Sequence, residues 1–595
     1  MSLASQPDRS VTESLDGVAS ATTPDLYART YMTLLRTSGA VRVHAFEAAH
    51  ISMRSSLHAL AAHTEPDTGA FIYAMQRLPL CIASVSSVVI GQEGEQFRAV
   101  LGPDVEGWER VEAAARRRAW RWDGHSTLTV HASSPSDLDD VVPCLVAYQI
   151  EWNKLHAALN RIDGEGRFGA ETLDALPERL GFTQQDWARL ARIHSTTNAE
   201  SFASWLQLVQ QTPKDIRIQL LGGNDIAYTR LARRWWRPIA ANQSGLAIEQ
   251  RPIYIVSSNL HAIANLVSGY VRRRRATLLD FLSNGAESAN APTPIRGSAA
   301  SHLANDEVAA LRSLQTVAHR ENVLYYAARL WHQAHRDHAL RVIRQEEEAE
   351  RGITQVDAST GFDVGAQLIE LSKVRPSDLD SRLARHVDVL ASSDAVIMNV
   401  DYPLGLASYH ILREVMASCA DVRGVYAIGK AATLNAAVGD VLLSETVFDE
   451  HSGNWYAFPN AFRAHDVGQY LTDASALDNQ TAVTVRGTFL QNHASLGRYY
   501  GERFTVVEME AGPILSAVYE ATRPTRHPSG ERVFFRELPF DFGIIHYASD
   551  TPYTQARTLG SRGLSVEGID ATYAAAVAVL DRIMASEGAR QSKGA

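Results

Sequence analysis

The feature that most constrains this chain is a set of short apolar runs in its last third, each ending in polar or acidic residues. Ala395 to Val400 (AVIMNV) ends at Asp401, Phe504 to Val507 (FTVV) at Glu508-Met509-Glu510, and Phe542 to Ala548 (FGIIHYA) at Ser549-Asp550. Continuous runs of strand length, rich in β-branched residues, suit strands covered on both faces. Strands near Ala395, Val425, Val441, Thr481, Thr505 and Ile544, interleaved with helical segments, predict an α/β fold with a mixed central sheet flanked by helices. Ligands of open α/β sheets lie across the carboxyl ends of the strands, so the acids at these ends are placed for chemistry.

The 595 residues allow two or three domains. Residues 1–24, rich in Ser, Thr and Ala, read as a tail without the apolar stretch of a secretory signal. Residues 25–282 read as a mostly helical α/β region, with helices at Leu26 to Arg36, Val43 to Ala62 and Trp108 to Trp120. Two strand-turn-helix units stand out there. Ser126 to His131 runs through Ser133-Ser134-Pro135-Ser136-Asp137 into a helix from Leu138, and Pro252 to Val256 runs through Ser257-Ser258-Asn259 into a helix near Leu260. Residues 283–305 are small, polar and proline-containing and read as a linker, and 306–384 as a long helix or hairpin with a connector. Residues 385–595 form the strand-rich domain, closed by a helix from Val566 to Ala585 with a frayed end from Glu587 onward.

Composition excludes some functions. A net charge of −10 gives no global attraction to nucleic acid or anionic lipid, and no window is apolar enough to span a membrane. Three basic clusters, Arg116-Arg117-Arg118, Arg233 to Arg237 and Arg272 to Arg275, read as faces paired with acids, or as a local phosphate site. Cys81, Cys144 and Cys419 lack metal-ligand spacing and read as buried thiols of a reducing, cytoplasmic compartment. Neither a metal nor another cofactor is expected.

Several motifs resemble those of the purine nucleoside phosphorylase superfamily, which includes nucleosidases and AMP nucleosidases. Val-x-Met-Glu at 507–510 resembles the family's ribose segment, Gly424 to Leu434 (GVYAIGKAATL) its glycine turn, Val438 to Ser444 its hairpin, and Ser549-Asp550 its Ser-Asp pair. The resemblance implies that Met509 packs under the ribose, Glu510 holds its hydroxyls, and Asp550, next to Ser549, protonates the leaving purine. It implies base contacts from Thr488 and Phe489, approach of the turn at Gly429 and Lys430, and a water-activating role for Asp401. Each residue also has a structural reading: Glu510, Asp401 and Asp550 as caps, Phe489 as core, Lys430 as a surface charge. The turn departs from the pattern, with Ala432 for a glycine, Lys430 for a small hydroxyl residue, and Ala427 where many phosphorylases carry a phosphate-binding Arg.

The expected activity is hydrolysis of the N-ribosyl bond of a purine nucleoside or nucleotide. Cleavage leaves charge on the base, which a positioned acid neutralises. Loss of the Arg at 427 favours water as acceptor. Lys430 favours phosphate, inorganic or on the substrate. A phosphate-dependent phosphorylase and a nucleotide sensor with little turnover remain as alternatives. The resemblance also implies a homo-oligomer in which a neighbour completes the site.

Overall fold

A computed structural model of the chain describes residues 24–37, 39–162, 170–194, 199–223, 225–241, 246–284, 320–335, 338–356, 362–552 and 567–594. The expected tail lies outside these residues up to 23, and the expected linker from 285 onward. The first two linker residues instead end the helix Arg275–Asn284. Of the long helix or hairpin expected within 306–384, Arg320–His335 and His338–Ala349 are described and helical.

The N-terminal region is built on a six-stranded sheet: β1 (Ala40–Arg42), β2 (Ser87–Gly91), β3 (Glu109–Val111), β4 (Trp120–Trp122), β5 (Thr127–His131) and β6 (Arg217–Leu221), in the order β1-β6-β2-β5-β4-β3. β2 runs parallel to β5 and β6, and the outer pairings are antiparallel. The expected helix at Trp108 to Trp120 is instead the β3 and β4 pair, because Trp120 and Trp122 alternate against Val130 and Leu128 of β5. The expected helix from Val43 covers only His44–Met53. From β5 the chain enters the long helix Pro135–Ile162, whose start is set by Pro135 at the first helical position and by Asp137, which accepts from the Ser133 N–H at 2.7 Å.

The second sheet has eleven strands: β7 (Pro252–Ser258), β8 (Ile353–Val356), β9 (Ala366–Glu370), β10 (Val396–Asp401), β11 (Asp421–Thr433), β12 (Val441–Asp449), β13 (Trp455–Ala457), β14 (Ala476–Thr484), β15 (Val506–Glu508), β16 (Arg532–Phe534) and β17 (Asp541–Asp550). β7, grouped by sequence with the N-terminal region, lies between β10 and β11 and is parallel to both. Pattern identifies a strand but not the sheet that takes it. Alternation along the strands divides the core into two faces. Ile253, Val396, Met398, Val425 and Ile544 pack under the helices Leu406–Ser418 and Ala511–Thr522. Tyr254, Ile397, Tyr426 and Ile545 pack under the final helix, Glu567–Gly594.

That helix is anchored where fraying was expected. Glu587 accepts hydrogen bonds from the Tyr254 and Ser393 hydroxyls, both at 2.7 Å, and pairs with Arg423 at 2.8 Å.

β11 does not turn at Gly424 to Leu434 but continues as a strand to Thr433, because its amides are drawn into ladders on both edges. The Val438 to Ser444 segment does not fold back on it either: Val441 and Leu442 pair with β17. Pairings of β11 with β17, β17 with β12, β12 with β14, β14 with β15 and β15 with β11 close a small ring.

Candidate active site at the strand ends

The carboxyl ends of β7, β10, β11 and β17 lie together, since the four strands run parallel. Ser258 is in register with Asp401, Ala427 with Ser257, and Ala432 with Asp550. Ala432 also pairs with Val507 of β15. A residue pairs once on each edge, so β15, antiparallel to β11, and β17, parallel to it, flank β11, and Val507 and Asp550 stand two strand spacings apart, roughly 10 Å, with Glu508 running back along β11 toward Lys430. On the β15 edge, β11 passes from its last β7 partner at Ala427 to its first β15 partner at Ala432. Gly429 and Lys430 lie in that interval, both half-buried. An added Cβ at Gly429 would meet His546 Cδ2 at 3.6 Å, an ordinary contact, so packing there does not require glycine.

At the end of β17, the Ser549 hydroxyl is 2.7 Å from Asp550 Oδ2 and 3.3 Å from the Ala431 carbonyl. It can donate to either one. Asp550 is 8% exposed, so one carboxylate oxygen is held in a nearly closed setting. Burial pulls the Lys430 ammonium below its ordinary pKa; Asp550 opposes this, while Arg329, Arg77 and Arg116 add to it.

Beyond β15 two acids divide the work. Glu508 is a buried cap: its Oε2 accepts from the N–H groups of Glu510 at 2.6 Å and Ala511 at 2.7 Å, and its Oε1 from the Thr484 hydroxyl. Burial and the neighbouring Glu510 push its carboxyl up to about 8. Glu510 stays partly open, accepts from the Gly405 N–H at 3.3 Å, and has its pKa raised by burial against the pull of that bond and of Arg116. Met509 is half-buried, with its sulfur 4.0 Å from the Thr488 hydroxyl, so Thr488 and Met509 meet.

Phe489 does not join them. Its ring is 1% exposed and packs with His50, His58 and Tyr73 in the N-terminal core. The main chain at Gly487 passes so close to the helix Pro135–Ile162 that an added Cβ would lie 2.9 Å from the Asp139 carbonyl, and this approach carries Phe489 into the other region.

Asp401 is 7% exposed and forms an ion pair with Arg117, whose Nη2 also donates to the Asp401 carbonyl at 3.3 Å. The loop after it is tight: Tyr402 has φ 37° and Gly405 φ 51°, and a Cβ at Gly405 would collide with Ser136 Oγ at 2.3 Å. Ser136 in turn accepts from the Leu406 N–H at 3.0 Å. Arg117 and Ser136 belong to the N-terminal region and were not singled out for the site. The signal was present in the Arg116-Arg117-Arg118 run and the Ser-Ser-Pro-Ser-Asp helix start, but neither says what it faces.

The Arg116-Arg117-Arg118 segment is fixed from behind. Ala115 donates its N–H to the Gln76 carbonyl at 2.7 Å, and Arg118 reaches Asp137 at 2.9 Å and Asp140 at 2.6 Å. Arg116 Nε lies 3.3 Å from Asp140, with a quarter of the side chain exposed. Burial works against the Arg116 charge, and Asp140 foremost, with Glu510 among the rest, more than offsets it. The other basic clusters are spent on acids: Arg233 on Glu414, Arg234 on Glu93, and Arg273 and Arg274 on Glu347. Asn259, just after β7, accepts from the Ala262 N–H at 2.7 Å ahead of the helix Ala262–Ser268 and donates to the Tyr402 hydroxyl at 3.4 Å. Among the described residues no helix is long and apolar enough to cross a membrane.

A family model described as a family of unknown function (DUF6909) matches residues 43–585. No curated protein matches the chain. Among solved structures, the chain is similar to the 5′-methylthioadenosine/S-adenosylhomocysteine nucleosidase of Campylobacter jejuni, at 14% identity and TM-score 0.27 over 41% of this chain and 93% of that one. It is similar to the nucleosidase of the same description from Neisseria meningitidis, in complex with methylthio-immucillin-A, at 15% identity and TM-score 0.25 over 41% and 94%. A futalosine hydrolase mutant of Helicobacter pylori is similar at 10% identity and TM-score 0.26 over 41% and 93%.

Proposed function

The chain belongs to that family of unknown function, and from this premise we propose that it cleaves the N-ribosyl bond of a purine nucleoside or nucleotide, with water as the acceptor. The observation that carries the reading is the flanking of Ala432 by Val507 and Asp550, which sets Met509 and Glu510 on one side of an open strand interval and Ser549 and Asp550 on the other. A sugar held by Glu510 would then carry its base toward Asp550.

In this reading Asp550 gives its proton to the purine N7 as the glycosidic bond breaks, and the bond electrons leave with the base. Glu510 accepts from the ribose hydroxyls and stabilises the positive charge growing on the sugar. Water adds to C1′ and loses its proton to a carboxylate, for which Asp401 at the end of β10 is the candidate. Ser549 positions Asp550 through its 2.7 Å contact. One observation favours phosphate as acceptor instead, the half-buried Lys430 in the strand interval.

The test is free-base release from adenosine, inosine, methylthioadenosine and AMP, with and without phosphate, by the full chain and by Asp550→Asn. Release without phosphate that falls by about 100-fold or more in Asp550→Asn is the expected result. No release from any of the four overturns the reading.

A further inference from the structure

The Met509-Glu510 segment and the first region meet at one glycine. In the loop after β10, two adjacent amides serve two partners: the Gly405 N–H donates to Glu510 Oε1 at 3.3 Å, and the Leu406 N–H donates to Ser136 Oγ at 3.0 Å. Gly405 has φ 51° and ψ −122°, a backbone that side-chain-bearing residues rarely adopt. A Cβ there would collide with Ser136 Oγ and lie 3.5 Å from the Met509 carbonyl oxygen, so the loop is clasped between the helix Pro135–Ile162 and the Met509-Glu510 segment.

The helical turn that carries Ser136 has little freedom to yield. Ser136, Asp137, Asp139 and Asp140 are all buried. Asp137 and Asp140 bind Arg118, and Asp139 accepts from Arg486 Nε at 3.1 Å. Through Arg486 and the close approach at Gly487, the same turn backs the segment of Thr488, whose hydroxyl meets the Met509 sulfur. One turn of the first region thus supports both residues of the segment, Glu510 through Gly405 and Met509 through Thr488. A binding group has to be held to about 0.5 Å by its supporting bonds before its contacts can discriminate between ligands.

We propose that Ser136 is a positioning residue of the ribose site: by fixing the amides of Gly405 and Leu406 it sets the Glu510 carboxylate against the ribose hydroxyls, so that the first region governs the preference for an intact ribose. Ser136 acts through Glu510 and does not touch the substrate. The proposal rests on the ribose role given to Glu510 above.

The experiment compares adenosine with 2′,3′-dideoxyadenosine, which lacks the two ribose hydroxyls, on the full chain, on Ser136→Ala, Ser136→Cys and Glu510→Gln, and on the double variant of Ser136→Ala with Glu510→Gln. Preference is read as kcat/KM where base is released and as calorimetric affinity where it is not, with thermal melting alongside. The parent should prefer adenosine by about 10-fold or more. Ser136→Ala should cut that preference by about 3- to 10-fold, the worth of one hydrogen bond, and Ser136→Cys, of similar size and weaker as an acceptor, should cut it less. In the Glu510→Gln background Ser136→Ala should no longer change the preference, and an effect that persists there overturns the proposal. Lost stability alone weakens both compounds equally, so an unchanged preference in Ser136→Ala also overturns it, and base release that continues leaves the cleavage reading standing. A parent that does not distinguish the two compounds overturns it together with the ribose role of Glu510. Should Ser136→Ala fail to fold, Ser136→Cys decides. A Ser136-dependent preference in binding, without base release from either compound, upholds the positioning role and sinks the cleavage reading.

Discussion

Both sheets end a group of parallel strands in polar residues, and the two ends are used differently. In the first sheet the acids and amide carbonyl there are held by internal bonds: Gln92 after β2 is 1% exposed and its side-chain oxygen accepts from the Gly223 N–H beyond β6 at 2.9 Å, and Asp137 and Asp140 beyond β5 are closed by Arg118. In the second sheet Glu510, Met509, Lys430 and Ser549 stay half-buried. A strand end is therefore only an opportunity for chemistry. Whether it becomes a site depends on whether nearby side chains saturate it, and here the saturated end holds the loop that reaches the open one.

This contrast can be broken by substitution, because saturated residues should answer in stability and open ones in activity. Arg118→Ala leaves Asp137 and Asp140 without their buried partner and should cost about 3–5 kcal/mol in chemical denaturation. A loss under about 1 kcal/mol would remove Arg118 from the structural side. Phe489→Ala should cost a similar ~3–5 kcal/mol as a core truncation. If stability held and KM for the purine rose instead, Phe489 would belong to the base site after all. Glu510→Gln should lower kcat/KM by about 100-fold, or ~2.7 kcal/mol, while the melting temperature stays close to that of the parent.

The smallest effect concerns Glu508. Its carboxyl rises from the ordinary range to about 8 on folding, so between about pH 5 and 8 the folded chain holds a proton that the unfolded chain releases. Stability from this group is present below that window and declines as pH rises through it. Glu508→Gln should lie within about 1 kcal/mol of the parent at pH 5 and show a shallower decline toward pH 8, read from urea midpoints across the range.

Much of the second sheet was legible because its signals are local. AVIMNV and FGIIHYA became β10 and β17, and of FTVV only Val506 and Val507 entered β15, with Asp401, Glu508 and Asp550 closing the three strands. Asn259 of the Ser-Ser-Asn run accepts from the Ala262 N–H just ahead of the helix Ala262–Ser268, whose N-cap residue is His261. The errors lie where a local pattern was ambiguous. The stretch from Trp108 to Trp120 carries helical spacing over residues that pair as strand edges, and the glycines of 424–434 suggest a turn where two neighbouring strands impose extension.

The sequence by itself determined the class of fold, the strand ends and the residue types placed there, since apolar runs and the polar residues that close them are set by neighbours along the chain. Only the tertiary structure decided that Arg117 meets Asp401 across 284 residues, that β7 enters the second sheet, and that Phe489 turns into the other core. Those contacts depend on which surfaces bury each other, and burial between distant segments is selected by the packing of the whole chain, not by any stretch read alone.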